Sequence, residues 1–370
     1  MTNILDYIAW RGDLTLDKSP FNRIDALILC QIAYLDLTKA TAENRAVCLR
    51  DAARIHGDVR RQKVGLVINE KTAELFFRAA ESARFGIVMM TDVADKYDEQ
   101  SEEQFSAITF IIEEGTAFIA FRGTDDTIVG WKEDFNLAFA DEIPAQKDAL
   151  LYAAGEVSAP NITRVYIGGH SKGGNLALYA AAHVVDCREK VCAVFNFDGP
   201  GFTKETLSTP QFKAIEGITH SFYPQLSIIG QLFSHFDDYC VVKSSGQFLM
   251  QHDPFTWHLR ATGFEEVAAL EAGSIYFYQT FNEWFAALEK EKRAQFVNAL
   301  FAPLAETDCK SLSAGFERDN EGGERNGQRG KSGIVENNFV AFCGGAKKLW
   351  RSYCTKIMQV NCIKRKFSVL

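Results

Sequence analysis

The apolar positions of this chain change their period partway along. Over residues 1–95 they recur mostly at helical spacing: Asn22-Arg23-Ile24-Asp25 leads into an apolar run from Ala26 to Leu35, and a second amphipathic stretch covers Lys71 to Ala83. Beyond that the pattern becomes continuous and β-prone. Phe105 to Ile112 and Ala117 to Phe121 are joined by Glu113-Glu114-Gly115-Thr116, which reads as a hairpin. Strand signals follow at Val165–Ile167, Val191–Phe197, His220–Tyr223 and Tyr239–Lys243, with helical stretches between most of them. Strands alternating with helices predict an α/β fold with a mostly parallel central sheet flanked by helices and an N-terminal helical part. The expected organisation is therefore a helical part at 1–95, an α/β core at 96–305 and a linker with a basic, poorly ordered tail at 306–370.

Composition narrows the partners. The chain has 370 residues, 47% hydrophobic and 12% aromatic, enough for a large core. Residues 307–370 hold 12 Lys and Arg against 6 Asp and Glu, leaving 28 against 42 before them, a net −14. An acidic body speaks against nucleic acid as a partner. The start carries no basic region followed by an apolar stretch, and no run reaches the roughly 18 apolar residues of a membrane span. A cytoplasmic protein is expected, with peripheral membrane contact through the basic tail left open. Nine cysteines stand singly without Cys-x-x-Cys or Cys/His ligand spacing, so neither a disulfide framework nor a metal site is expected.

The chemistry concentrates at Gly168-Gly169-His170-Ser171-Lys172-Gly173-Gly174-Asn175, between the strand Val165–Ile167 and the helical stretch Leu176–Val185. Gly-x-Ser-x-Gly between strand and helix is a nucleophile elbow, and Gly169 and Gly173 let strand and helix crowd the turn that lifts the serine. A serine nucleophile needs two donors for a tetrahedral oxyanion. The Lys172 N–H supplies one, and Thr124, in Arg122-Gly123-Thr124 just after Ala117–Phe121, is placed to supply the other, with its hydroxyl as an additional donor.

These residues carry a resemblance. Phe121-Arg122-Gly123-Thr124 with Trp131 and Asp134, followed by Gly-His-Ser-x-Gly-Gly and Ala177, resembles the class 3 lipase arrangement. Gly-His-Ser-Lys-Gly-Gly-Asn-Leu-Ala, Asn196-Phe197-Asp198-Gly199-Pro200-Gly201-Phe202 and Gln251-His252-Asp253-Pro254-Phe255-Thr256-Trp257 are similar to the Mbeg1-like family over about residues 20–300. The resemblance implies an α/β-hydrolase fold, a Ser-His-Asp site, acyl-hydrolase activity without a cofactor, and a small-molecule or lipid ester as substrate.

Chain order in this fold puts the acid between nucleophile and base, with the base last. His252, in a loop bounded by Pro254, is the first candidate for the base, with His235 and His258 as alternatives. His170 lies next to the nucleophile but faces away from it, a place for packing or hydrogen bonding. His56, His183 and His220 read as structural or surface residues. Class 3 lipases carry their acid where this chain has Ser227. Asp198, closing the strand after the elbow, is the first candidate for the acid, with Asp237 and Asp238 in reserve. Lys172 is a candidate for binding an anionic head group. Trp131 and Phe139 are candidates for an acyl pocket or its cap.

Overall fold

The computed structural model describes residues 2–305 apart from 42–45, 56–70, 126, 138–139, 276–277, 280–281 and 283–286. His56, Phe139 and residues 306–370 therefore lie outside the described residues. The chain divides into one compact unit, Met1–Val297, and a second, Asn298–Leu370, and every candidate site residue belongs to the first.

Two capping boxes start the fold. Asn3 and Asn22 stand at the N-caps of α1 (Ile4–Arg11) and α2 (Arg23–Ile32), and Asp6 and Asp25 reach back to the cap N–H groups, each over 2.9 Å. The helix expected from Ala26 thus begins three residues earlier, at the residue its cap dictates. The amphipathic stretch from Lys71 forms α4 (Lys71–Glu81), after the short α3 (Leu49–Ile55), and buries Leu75, Phe76, Ala79 and Ala80 along one stripe.

The described residues form eleven strands, numbered in chain order: β1 (Val47–Cys48), β2 (Met89–Asp98), β3 (Glu103–Glu113), β4 (Thr116–Phe121), β5 (Arg164–His170), β6 (Val191–Phe197), β7 (Thr219–Pro224), β8 (Cys240–Val242), β9 (Leu259–Arg260), β10 (Gly263–Phe264) and β11 (Glu266–Val267). Nine form one sheet in the order β1-β2-β3-β4-β5-β6-β7-β8-β11, while β9 and β10 pair apart. Pairing is parallel from β4 through β8 and antiparallel from β1 to β4 and between β8 and β11. The sheet is mixed, with a parallel centre and antiparallel flanks. The expected hairpin is β3–β4. β2 begins inside the stretch that reads as helical; its residues are mostly polar and partly exposed, and long-range pairing with β3 makes it a strand.

β4 shows how the layers assemble. Phe118 and Ala120 face the layer of α1, α2 and α4, while Ala117, Ile119 and Phe121 face the other side. There α6 (Pro144–Ser158), α7 (Lys172–His183) and α9 (Pro210–Glu216) cover the sheet, with α5 (Ile128–Asn136) before them and α8 (Lys204–Leu207) between α7 and α9. With both faces covered, β4 needs no polar alternation, which is why its sequence reads as one apolar run. This is the α/β-hydrolase architecture. Among the described residues no helix is long and apolar enough to cross a membrane.

One buried ion pair ties the N-terminal layer together. Arg84 Nε donates to Asp25 Oδ1 at 2.6 Å, and Arg84 also donates to the carbonyls of Leu14, Ser19 and Pro20. Both side chains are fully buried. Asp25→Ala would leave a guanidinium buried without its carboxylate, so a loss of about 3–5 kcal/mol is expected. Urea denaturation checks this; a loss below about 1 kcal/mol would show that the pair is dispensable.

Candidate active site

The nucleophile turn is strained in the way its sequence predicts. Ser171, between β5 and α7, has φ 59° and ψ −134°, a conformation that costs a non-glycine residue roughly 1–3 kcal/mol. A Cβ on Gly169 would stand 2.1 Å from the Gly173 backbone, and one on Gly173 would stand 2.1 Å from the Phe121 carbonyl oxygen, so the start of α7 meets β5 and the end of β4 only because these two residues have no side chains. The first turn of α7 leaves the Lys172 N–H without an intrahelical acceptor. Facing it, the loop after β4 passes over the serine: a Cβ on Gly123 would lie 3.0 Å from the Ser171 Cβ. Thr124 follows, buried.

The candidate acid and the candidate base come from separate elements. Asp198 follows β6 directly, with φ 52°, and is fully buried. His252 closes a short turn, Phe248–His252, and its Nδ1 lies 2.6 Å from Asp198 Oδ2. An acceptor-only carboxylate places the proton on Nδ1 and leaves Nε2 as the basic nitrogen. Asp253 Oδ1 accepts from the Phe255 N–H at 3.0 Å and shapes the following turn. The fully buried Trp257 donates from Nε1 to the Gln251 carbonyl at 2.7 Å, holding the His252 loop from below. Among the described residues the Ser171 hydroxyl and His252 Nε2 hold no hydrogen bond in this resting site, a contact that commonly tightens only when substrate arrives.

Ser227 is no vacancy at the acid. Its hydroxyl donates to Asp198 Oδ1 at 2.5 Å, so the carboxylate is held on both oxygens, by a serine on one side and the imidazole on the other. The Ser227 carbonyl in turn accepts from the buried Ser274 hydroxyl. The site is built so that the strand after the elbow supplies the carboxylate and the position after β7 supplies a hydroxyl to orient it.

The remaining histidines and acids are placed elsewhere. His235 Nδ1 meets the Tyr223 hydroxyl at 3.1 Å, and burial pushes its pKa down to about 4. His258 Nδ1 lies 3.3 Å from Glu265 Oε2. Asp237 and Asp238 are exposed. His183 meets the Tyr179 carbonyl at 2.8 Å, and His220 stacks on Phe195. His170 does make the packing and bonding contacts expected of it, with Tyr34 and the His252 backbone.

Two expectations are corrected. Lys172 does not offer its ammonium to a ligand: the side chain is fully buried and donates to Gln104 O at 2.7 Å, Gln104 Oε1 at 3.0 Å and Glu133 Oε2 at 2.8 Å. Three acceptors saturate its three protons. Glu133 also accepts from the backbone N–H groups of Gln104 and Ala145, so this cluster fastens α5 and β3 to the elbow. Nor is the Thr124 hydroxyl free for an oxyanion, since it lies 2.5 Å from Asp134 Oδ2. The Lys172 contacts were not readable from spacing, because they join segments that only the sheet brings together, whereas the Thr124–Asp134 contact depends on how α5 folds back on the loop after β4. Trp131 is buried on α5, and nothing places it around an acyl chain. Among the described residues no group of His, Cys, Asp and Glu side chains could hold a metal ion.

The family model for Mbeg1-like proteins matches residues 79–302. The chain belongs to the Mbeg1-like family. The match takes in the elbow, Asp198, Ser227 and His252, and it starts in the last turn of α4, leaving α1, α2 and Tyr34 outside. Among solved structures, this Mbeg1-like chain is similar to M37 lipase at 14% identity, covering 56% of this chain and 68% of the other, with a TM-score of 0.35. It is also similar to a mutant form of MDLA from Penicillium cyclopium at 12% identity, covering 68% and 87%, with a TM-score of 0.40. No curated protein matches the chain.

Asp134 gives the site a measurable pH signature. Burial raises its carboxyl from 3.8 to about 7, opposed by the nearby Lys172 ammonium and the Thr124 hydroxyl. Its Oδ1 is sealed from solvent and unbonded among the described residues. The unfolded chain releases this proton near pH 3.8 and the folded chain near 7, so between these values unfolding binds fewer protons and stability falls as pH rises. Asp134→Asn should remove that part of the slope, at most about 1.4 kcal/mol per pH unit. Urea midpoints of the two proteins from pH 4 to 8 check it; parallel curves would contradict the raised value.

Proposed function

We propose that this Mbeg1-like protein is a serine hydrolase that cleaves carboxylic esters through an acyl-enzyme on Ser171. The observation that carries the reading is the 2.6 Å bond from His252 Nδ1 to a buried Asp198, built beside a serine held at positive φ on a strand-to-helix turn. A strained non-glycine residue is retained where the strain serves chemistry.

In this reading the Ser171 hydroxyl gives its proton to His252 Nε2 as Oγ bonds to the acyl carbon. The carbonyl oxygen takes up the negative charge and is held by the N–H groups of Lys172 and Thr124. Collapse returns the proton from His252 to the leaving alcohol. Water then repeats the sequence against the acyl-enzyme, delivering a carboxylic acid and free Ser171. Asp198 fixes the His252 tautomer and balances the imidazolium, Ser227 orients Asp198, and Asp134 orients Thr124. No step calls for a cofactor or metal. The substrate class is a carboxylic ester of a small molecule or lipid; the burial of Lys172 removes the charge that would have favoured an anionic head group. A thioesterase or acyltransferase would use the same atoms with a different leaving group or acceptor.

A second reading, a non-catalytic scaffold that binds lipid or protein, takes its motive from Ser227 in the acid's usual place. The hydrogen bond from Ser227 to Asp198 takes away that motive.

Hydrolysis of p-nitrophenyl butyrate by the full chain tests the proposal. Ser171→Ala is expected to abolish turnover, and Asp198→Asn to lower kcat by about ten-thousand-fold through loss of the correct tautomer. Ser227→Ala, which removes one hydrogen bond to a charged acceptor, is expected to lower kcat by about tenfold. Turnover that survives Ser171→Ala in the folded protein would contradict the assignment.

A further inference from the structure

Behind the nucleophile runs a second hydrogen-bonded chain that the acyl-transfer steps do not touch. His170 is fully buried, and its two ring nitrogens meet unlike partners. Nε2 lies 2.9 Å from the His252 carbonyl oxygen, and Nδ1 lies 3.0 Å from the Tyr34 hydroxyl. A carbonyl can only accept, so Nε2 carries the proton. Nδ1 is then an acceptor, and the Tyr34 hydroxyl donates to it. The Tyr34 oxygen is also 3.2 Å from the His170 carbonyl and faces the Gly123 N–H, whose residue packs so closely that an added Cβ would fall 2.1 Å from it. One tyrosine at the end of α2 thus touches the oxyanion loop directly and the base loop through His170.

We infer that Tyr34 and His170 are positioning residues: Tyr34 fixes the His170 ring as its Nε2–H tautomer, and that ring holds the His252 backbone so that the base stands against the elbow. This rests on the reading of Ser171 and His252 as nucleophile and base. The two imidazoles lie with centroids 4.5 Å apart and planes 32° apart. When His252 takes the serine proton it becomes a cation at that distance, and only a neutral His170 lets it do so without repulsion. The surroundings keep His170 neutral. Its ring faces His252 and the edge of Trp257, and burial, followed by the charge of a protonated His252, holds its pKa well below the ordinary histidine value. Around Tyr34 stand Cys30, Arg122 and Asp134; burial first, and then Asp134, keep the phenol protonated and available as a donor.

The test begins with the tautomer, which needs no turnover. In the full chain labelled with 15N-histidine, NMR should show His170 protonated on Nε2, unprotonated on Nδ1, and still neutral through the pH range in which an ordinary histidine titrates. Tyr34→Phe, which removes one oxygen, should give a mixture of His170 tautomers and move the His252 signals. For p-nitrophenyl butyrate it should lower kcat about tenfold with KM little changed, the scale of one lost hydrogen bond. His170→Gln, which keeps a side-chain N–H donor for the His252 carbonyl, should retain more kcat than His170→Ala; this comparison serves if Tyr34→Phe misfolds. His170 protonated on Nδ1, or titrating near the ordinary value, overturns the inference. So does a working wild type whose Tyr34→Phe and His170→Ala variants keep its kcat and pH profile. A folded wild type that turns over no ester overturns the hydrolase reading, and the positioning role with it.

Discussion

The bond between His252 Nδ1 and Asp198 Oδ2 is the contact on which the arrangement depends, because it ties the candidate base on the Phe248–His252 turn to the candidate acid at the end of β6. Its two residues are separated by β7, β8 and a long connection, so it can form only if the sheet brings those elements into order. Its energy depends on burial: a carboxylate with no solvent exposure must be hydrogen-bonded on both oxygens or it will take a proton instead. Ser227 on one oxygen and His252 on the other meet that demand. Remove either partner and the other faces an underbonded buried charge.

Backbone geometry then fixes where the proposed reaction would occur. Ser171 and Asp198 follow neighbouring parallel strands directly, and both have positive φ, 59° and 52°. At each place the strand ends and the chain turns sharply, lifting a side chain above the C-terminal edge of the sheet, where α/β folds bind their ligands. The helical layers on both faces make these turns rigid. On one side α7 is seated against β5 by Gly169 and against the end of β4 by Gly173, and the Lys172–Glu133–Gln104 cluster fastens α5 and β3 beneath it. On the other, α2 brings Tyr34 to His170 and to the oxyanion loop. The N-terminal helices, which look like an appendage in sequence, supply part of the floor of the site.

What the sequence made legible follows from range. Gly-x-Ser-x-Gly between strand and helix is a local constraint, so Ser171 and the Lys172 N–H could be read directly, and the capping box at Asn22 located α2 to within a few residues. Asp198 and His252 were reachable through chain order and loop position. Ser227 was visible as a departure from the lipase pattern, but that it donates to the acid depends on two strand ends being neighbours. Lys172 was misread for the same reason: a lysine beside a nucleophile looks solvent-facing until β3 and α5 close over it. Tyr34 had no sequence signal, since its partner His170 stands 136 residues away and a tyrosine at the end of an apolar helix reads as core. β2 escaped because its strand character comes from pairing with β3 and not from its own residues.

The central claim is that Ser171 is an activated nucleophile. The most direct measurement is reaction of the purified full-length protein with a fluorophosphonate, followed by peptide mapping of the adduct, because the probe reports serine activation whatever the natural ester is. The account predicts one adduct, on Ser171, formed at a rate that collapses in a folded His252→Ala protein. Folded protein that stays unmodified, or that carries the adduct on another residue, would contradict it.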